Sequence, residues 1–478
     1  MLGLYGHDGI LPIRNALDGS GQNPLLLFFS YPSVFWFNSS DAFLSTVPAI
    51  GAVVSFLAML GILCGPCLLI AWFLYLSIVA GGQEFMSFQW DILLCETGFL
   101  SLFLAPWRPF DFLFNLIGNR FNHPSWMIDR TEPPLIIIWL LRWLLFRLML
   151  QSGLVKLDSM DPTWRDLTAM TYHYETQPLP TPIGWFAHHL PVPFQIFSTG
   201  SVFFFELIVP FLIFCGKNAR LIAAVGLAFL QFLILLTGNY CFFNWLTLAL
   251  CLLLLDDSIL LRTIDGRLRS KIEAIANPET SRLVSRLRLA AVAPVAVLII
   301  FLSTIRPICG ALGLLRLPDA PLMVVALCSP WHLVSSYGLF AVMTTSRPEI
   351  AIEGSADGKL WKPYVFKFKP GPLDHPPPVV APYQPRLDWQ MWFAALGSVA
   401  ENPWLVSFSH RLLQNSPAVV ALLETNPFPH TPPKYIRAIV YDYHMSDVHT
   451  MMKTGKWWKR EFKEVYMPAI TLDDAREF

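Results

Sequence analysis

Charge is what this 478-residue sequence has least of. Asp, Glu, Lys and Arg make up 14% of it, against 54% hydrophobic residues, whereas an average soluble domain carries about 25% charged residues. The little charge present cancels, 34 basic against 34 acidic. That removes the bulk attraction that would draw the chain to nucleic acid, so no nucleic acid is expected as a partner and any partner must be recognised locally. The stretch from Met1 to Gln22 lacks a charged start followed by an apolar run, so no cleavable signal peptide is expected. Eight cysteines, at 64, 67, 95, 215, 241, 251, 309 and 328, lie in or beside apolar runs. There a thiol packs as a small hydrophobe, and they do not read as a disulfide framework. No nucleophile elbow is present, and GSADGK at 354–359 lacks the length and following helix of a phosphate-cradling loop. His188 and His189 are adjacent, so their side chains diverge, and His173 with Glu175 closes no four-ligand set. No metal and no other cofactor are expected.

What is present is apolar sequence of membrane length, with mean hydropathy +0.49. A bilayer core takes about 20 apolar residues per helix. Candidates run at 45–63, 67–82, 88–105, 135–155, 199–215, 219–237, 241–261 and 289–308, while 320–345 is broken by Ser329-Pro330 and reads as interfacial or re-entrant. Lys and Arg in short loops resist translocation. Arg262, Arg267, Arg269, Lys271, Arg282, Arg286 and Arg288 therefore assign the loop after the seventh span to the cytoplasm. Alternation adds 216–218 and 106–134, the latter with Arg108, Arg120 and Arg130, to that side. It sets 156–198 and the N-terminal segment, with its sequon Asn38-Ser39-Ser40, on the opposite side. Such an N-terminus without a signal implies a helix ahead of residue 1.

After about residue 346 the sequence turns Pro-rich, aromatic and polar. EIAIEGSADGKLWKPYVFKF reads as two strands around a Ser-Ala-Asp-Gly turn, YIRAIVYDYHM as another strand and 401–425 as helical. The expected fold is an all-α multi-pass membrane bundle over 1–346, of about eight spans, followed by a soluble α+β domain over 347–478.

Charges inside membrane helices need partners or a cavity. Asp91 and Glu96 in the third span can neutralise Arg142 and Arg147 in the fourth, with Glu206 further along; the other reading is a polar cavity opening toward 156–198. Lys156 leaves the fourth span beside Asp158 and Asp161. A lysine partly withdrawn from water can act as a base; alternatively it snorkels and anchors the helix end. CGPC at 64–67 sits in a break between two apolar segments with no preceding strand, so a tight turn is expected rather than a redox site. Within 171–191, TYHYETQPLPTPIGWFAHHLP, prolines 178, 180, 182 and 191 stiffen the backbone. Tyr172, Tyr174, Trp185 and Phe186 then either offer contact area to a client protein or pack inward; both readings require an ordered segment.

GQEFMSFQWDILLCETGFLSLFLAP (82–106), the run 140–191, APYQPRLDWQMWFAAL (381–396) and NPFPHTPPKYIRA (426–438) closely resemble the lipase maturation factor family. The resemblance covers most of the chain. It implies a multi-pass membrane protein, in eukaryotes of the endoplasmic reticulum, that helps dimeric secreted lipases reach their active fold; bacterial relatives would lie in the inner (cytoplasmic) membrane, and for those no lipase client is implied. The implied partners are the lipid bilayer and a secreted lipase or another secretory client. Asp161, Trp164, Arg165, Tyr172, His173, Tyr174, Glu175, Gln177, Trp185 and His188 would carry the loop pattern, and Gln384, Arg386, Asp388, Trp389 and Arg437 the C-terminal one. Relatives usually place a membrane helix ahead of the segment matching LYGHDGILP (4–12), and some animal members carry longer charged C-terminal tails. GLVKLD at 153–158 is also similar to a helix-end run of vitamin K-dependent gamma-carboxylases, where a lysine acts as general base, and Lys156 would take that place. Two functions follow: a membrane-anchored folding factor, or an integral-membrane enzyme, carboxylase-like or lipid-modifying, using Lys156.

Overall fold

The computed structural model describes residues 1–17, 23–109, 133–267, 269–270, 282–311 and 319–474. Eleven helices are used below to locate the bundle: α1 (Asp41–Met59), α2 (Cys64–Gly81), α3 (Gln89–Ser101), α4 (Leu135–Asp158), α5 (Ala169–Thr176), α6 (Pro182–His188), α7 (Val192–Phe203), α8 (Lys217–Thr237), α9 (Phe243–Leu252), α10 (Arg282–Ala311) and α11 (Asp319–Cys328). Five described segments are long and apolar enough to cross a membrane: α1, α2, α4, α8 and the run Val192–Phe214 that α7 begins. These answer five of the eight expected spans. The other three are shorter as apolar helices: α3 has 13 residues, α9 has 10, and in α10 the apolar part is Leu289–Ile305. At 1.5 Å per residue α3 covers about 20 Å of a roughly 30 Å core. It stops because the chain turns after Ser101, with Phe103 and Leu104 bonded back to Leu100 and Ser101. Segment 320–345 begins as α11, tightens at Ser329–Trp331 and continues without regular structure.

The hub is α4, 61% of whose most apolar window is buried, against 11% for α1 at the periphery. Outer faces carry exposed apolar side chains such as Phe56, Ile222, Val225 and Phe232, as a lipid-facing surface requires. At the head of α2, the CGPC turn is tied down by Leu63 N–H to the Pro109 carbonyl and Gly65 N–H to the Pro106 carbonyl. Only glycine fits at 65, since a Cβ there would meet the Trp107 ring at 2.7 Å. No disulfide joins the eight cysteines among the described residues.

The C-terminal region builds a four-stranded antiparallel sheet in the order β2-β1-β5-β6, from β1 (Pro348–Ser355), β2 (Trp361–Pro363), β5 (Tyr435–Met445) and β6 (Trp458–Ile470), with β3 (Val365–Phe366) and β4 (Leu423–Thr425) as a small second pair. Asp357 accepts the Lys359 and Leu360 N–H groups and fixes the β1–β2 turn. Two further helices, α12 (Arg386–Ala395) and α13 (Pro403–Leu413), cover the sheet. The expected helical stretch 401–425 holds α13 and a short turn before ending in β4. β6 escapes a sequence reading because KREFKEV is mostly exposed, as suits an edge strand.

One apolar cluster joins Ile350, Ile352, Met391, Phe408 and Val440 of this region to Leu44, Val47, Leu76 and Phe85 of the bundle and to Tyr5, Ile10 and Ile13 at the N-terminus. The opening stretch is packed into the same core as the sheet domain. Arg411 donates to the Gly9 and His7 carbonyls and Ser416 to the Asp8 carbonyl, which satisfies backbone groups that burial would otherwise strand. Among the basic residues that orient the chain, Arg120, Arg130 and Lys271 lie outside the described residues, as do the side chains of Arg282, Arg286 and Arg288.

Candidate functional site

The site begins in the last two turns of α4, where Ser152, Gly153 and Lys156 fall on one face. Beyond α7 the helix loosens into a π turn, Phe204–Ile208, and then tightens over Val209–Phe214, where Pro210 has no N–H to give. The π turn swings Glu206 toward α4, and Gly153 lets it arrive: a Cβ there would lie 2.6 Å from Leu207 and 3.0 Å from the Glu206 Cβ. Lys156 Nζ consequently donates to both Glu206 carboxylate oxygens at 3.0 and 2.8 Å and to the Ser152 carbonyl at 2.9 Å. It also lies 5.3 Å from the Trp164 ring centre. Both partners are buried, 4% and 7% exposed, so the lysine does not snorkel. All the hydrogen bonds of Lys156 Nζ are thus made within the protein. Asp158 is exposed, and Asp161 turns away to accept from Met343 N–H at 2.6 Å and from Thr163. Burial pushes the Asp161 carboxyl up, but these hydrogen bonds outweigh it and hold it below the usual range.

Lys156 and Glu206 form part of the wall of a cavity of ≈ 1110 Å³, which also takes in Trp164, His173, Tyr174, Gln231, Tyr240 and Asn244. Its rim runs to Phe194, Phe197, Phe204 and Phe229, which are 48–70% exposed on the two helical runs that would face lipid. Tyr240 donates to Gln177 Oε1 at 2.8 Å and lies 3.2 Å from His173 Nε2. Burial, and secondarily the Lys156 charge, push the His173 imidazole down to about 4.

The membrane carboxylates and arginines separate into three further arrangements beside the Lys156–Glu206 pair rather than one network. Glu96 pairs with Arg147 as expected, and its other oxygen accepts from Tyr337 Oη at 2.8 Å and Ser335 N–H at 2.9 Å. Asp91 does not meet Arg142: its partner is Arg386 of α12, with Tyr75 also donating. Arg142 instead donates to the Leu253 carbonyl at 2.9 Å and lies over Trp139. The reason is distance along the helix, since Asp91 sits near the start of α3, beside the sheet domain. Neither Glu96 nor Arg147 lines the cavity, so of the alternative reading, a polar cavity shared by these charges, only the Lys156–Glu206 end is present.

Segment 171–191 is two short helices rather than an extended loop, with Pro182 as the first residue of α6 and Thr181 capping it. Trp185 is fully buried against Tyr443, Met445 and Trp458 and donates to the Trp457 carbonyl. Gln177, 1% exposed, donates to the Thr237 carbonyl at 2.8 Å. A client could not reach either, because both are spent on internal packing. Tyr172 and Phe186 stay exposed, and Arg165 is exposed against Met160 Sδ. Glu175 accepts from Met445 N–H at 2.8 Å and lies 3.2 Å from His444 Nδ1 and 3.6 Å from His188 Nε2.

The largest clasp was not foreseen. Arg347 is fully buried and donates to the carbonyls of Glu175, Gln177 and Pro178, pairs with Glu349 at 2.8 Å and lies against Trp458. Asn239 donates to the Leu179, Pro180 and Pro378 carbonyls and accepts from Val380 and Ala381 N–H. The Gly-Asn turn between two apolar helices was a visible signal for Asn239; Arg347, in an ordinary Ser-Arg-Pro, gave none. In the C-terminal pattern, Asp388 accepts from Phe368 and Lys369 N–H, with burial raising its carboxyl. Trp389 packs on Phe88, Trp90 and Tyr240, and Arg437 pairs with Glu353 over Trp361. Gln384 is part-buried, with no partner for its amide among the described residues. No cluster of three or more metal-ligating side chains occurs among the described residues.

A helical membrane bundle bonded to a C-terminal α+β domain defines the class: an integral membrane protein with a large docked extramembrane part. The lipase maturation factor transmembrane domain matches residues 1–262, and the lipase maturation factor C-terminal domain matches 333–468. Lipase maturation factor 2 of Homo sapiens is 36% identical over 99% of this chain and 79% of its own length. That of Gallus gallus is 35% identical over 99% and 78%, and lipase maturation factor 1 of Homo sapiens is 34% identical over 99% and 84%. The chain belongs to the lipase maturation factor family. No solved structure matches it.

Proposed function

We propose that this protein is a membrane-anchored maturation factor for secreted lipases or related secreted proteins, working through the surface that helices 162–203 and the C-terminal domain form together. The names of its relatives support the lipase role. The observation that carries the mechanism is the Arg347 clasp, which with Glu175 and Asn239 makes the two parts one body. A folding factor gains from such preorganisation because its contact surface need not be ordered when a client arrives. The arginine-rich connection around 262–269 supports a working surface on the non-cytoplasmic side, in the endoplasmic reticulum of a eukaryotic cell or across the inner membrane of a bacterium. The enzymatic reading has less support, since every donor of Lys156 is already committed.

The test is complementation. Cells lacking their own maturation factor, supplied with this chain, are expected to recover active secreted lipase, and the chain is expected to co-purify with the lipase precursor. Normal chain abundance with neither result would overturn the proposal.

A further inference from the structure

The cavity beside Lys156 is not needed to join the two parts of the protein, and its wall carries a specific imbalance. The single hydroxyl proton of Tyr240 goes to Gln177 Oε1, whose amide orientation is fixed because Nε2 donates to the Thr237 and Tyr174 carbonyls. Tyr240 can therefore only accept from His173, so Nε2 of that ring bears the proton and Nδ1 is an acceptor. Nδ1 of His173 is buried without a partner among the described residues. Asn244 gives its amide N–H to Gln231 Oε1 at 2.7 Å, and its own Oδ1 is also buried without a partner among those residues. Both acceptors thus belong to residues that line the same cavity, and Asn244 is only 1% exposed. Each is costly unless a donor completes it.

The remaining charges at this end cancel, since Lys156 and Glu206 neutralise each other at 2.8 Å. A charged headgroup would find no net counter-charge here and would lose its hydration. The other end is apolar and leaves between the exposed rings of Phe194, Phe197, Phe204 and Phe229, on segments of membrane-spanning length. The volume, ≈ 1110 Å³, exceeds that of most small-molecule pockets and leaves space for a long chain as well as a head.

We propose that this cavity binds an uncharged, hydroxyl-bearing membrane lipid, a mono- or diacylglycerol type of molecule, with its hydroxyl donating toward Asn244 and His173 and its chain leaving between α7 and α8. The inference rests on the cavity alone and stands whether or not the client is a lipase.

The experiment uses the full chain in phosphatidylcholine vesicles with three photoreactive probes of identical tails: diacylglycerol, phosphatidate and phosphatidylcholine. The diacylglycerol probe is expected to label peptides from 192–206 or 229–244 about tenfold more than the charged probes, the weight of about one hydrogen bond to a buried acceptor. Unlabelled dioleoylglycerol should compete. Asn244→Leu should remove the preference, and Ser201→Trp, at the cavity wall, should abolish labelling while thermal unfolding stays near that of the parent. Equal labelling by all three probes, or labelling unchanged in a folded Ser201→Trp protein, would mean that water or bulk lipid fills the space and would overturn the proposal.

Discussion

Asp91, near the start of α3, and Arg386, the first residue of α12, form a two-pronged ion pair at 2.7 and 2.8 Å across 295 residues of sequence. Arg386 also donates to the Phe85 carbonyl at 2.7 Å. The pair therefore bolts the C-terminal domain to the bundle, and it does so with a carboxylate that is wholly buried.

Arg386→Met leaves that carboxylate without its counter-charge. A loss of about 3–5 kcal/mol is expected, as for other buried pairs broken on one side. The double variant Asp91→Leu/Arg386→Met should recover part of it. Thermal unfolding in detergent measures both; equal losses in the single and double variants would rule out a pair-specific cost.

Arg347→Met removes donors from three consecutive-region carbonyls, those of Glu175, Gln177 and Pro178. Limited proteolysis should then cut near 175–180 at least about tenfold faster, the equivalent of roughly 1.4 kcal/mol in local opening. Mass analysis of the fragments reads the outcome, and an unchanged cleavage pattern would contradict the clasp.

Gly153→Val places branched carbon where Leu207 and Glu206 already make close approach. Overpacking of this kind costs about 1–3 kcal/mol, with Gly153→Ala at the lower end. Lys156→Met should destabilise more than Lys156→Met/Glu206→Leu, because the single change strands the Glu206 carboxylate. The comparison of melting temperatures decides it.

His173 supplies a pH dependence. Its imidazole titrates at about 4 in the folded chain and near 6.5 when unfolded. Between these values the unfolded state binds the extra proton, so stability rises with pH across the window. The stabilisation is complete above about 6.5 and is lost on acidification toward 4, by roughly 3 kcal/mol in total. Melting temperature against pH should show this fall, and His173→Phe should flatten it.

The five long spans were legible because a run of about 20 apolar residues has few other uses. The other three apolar stretches are harder to bound from composition, which reports apolarity but not where a helix stops: the end of α3 is set by a turn after Ser101 that only backbone bonding reveals. The pairing of Glu96 with Arg147 could be guessed from charge and adjacency of helices. The pairing of Asp91 with Arg386 could not, since nothing local in either segment points to the other.

By itself the sequence determined that the chain lives in a membrane, that a mixed α and β domain follows the bundle, and which family it joins. Those properties are sums over composition, periodicity and long matched stretches, and they need no knowledge of what lies across from what. Tertiary structure alone decided that Glu206 reaches Lys156 past Gly153, that Arg347 and Asn239 close the two parts together, and that His173 and Asn244 line one cavity with Lys156 and Glu206. Each is a meeting of residues 50 to 172 positions apart, and the partners of a buried polar group are fixed by packing geometry rather than by their neighbours in the chain.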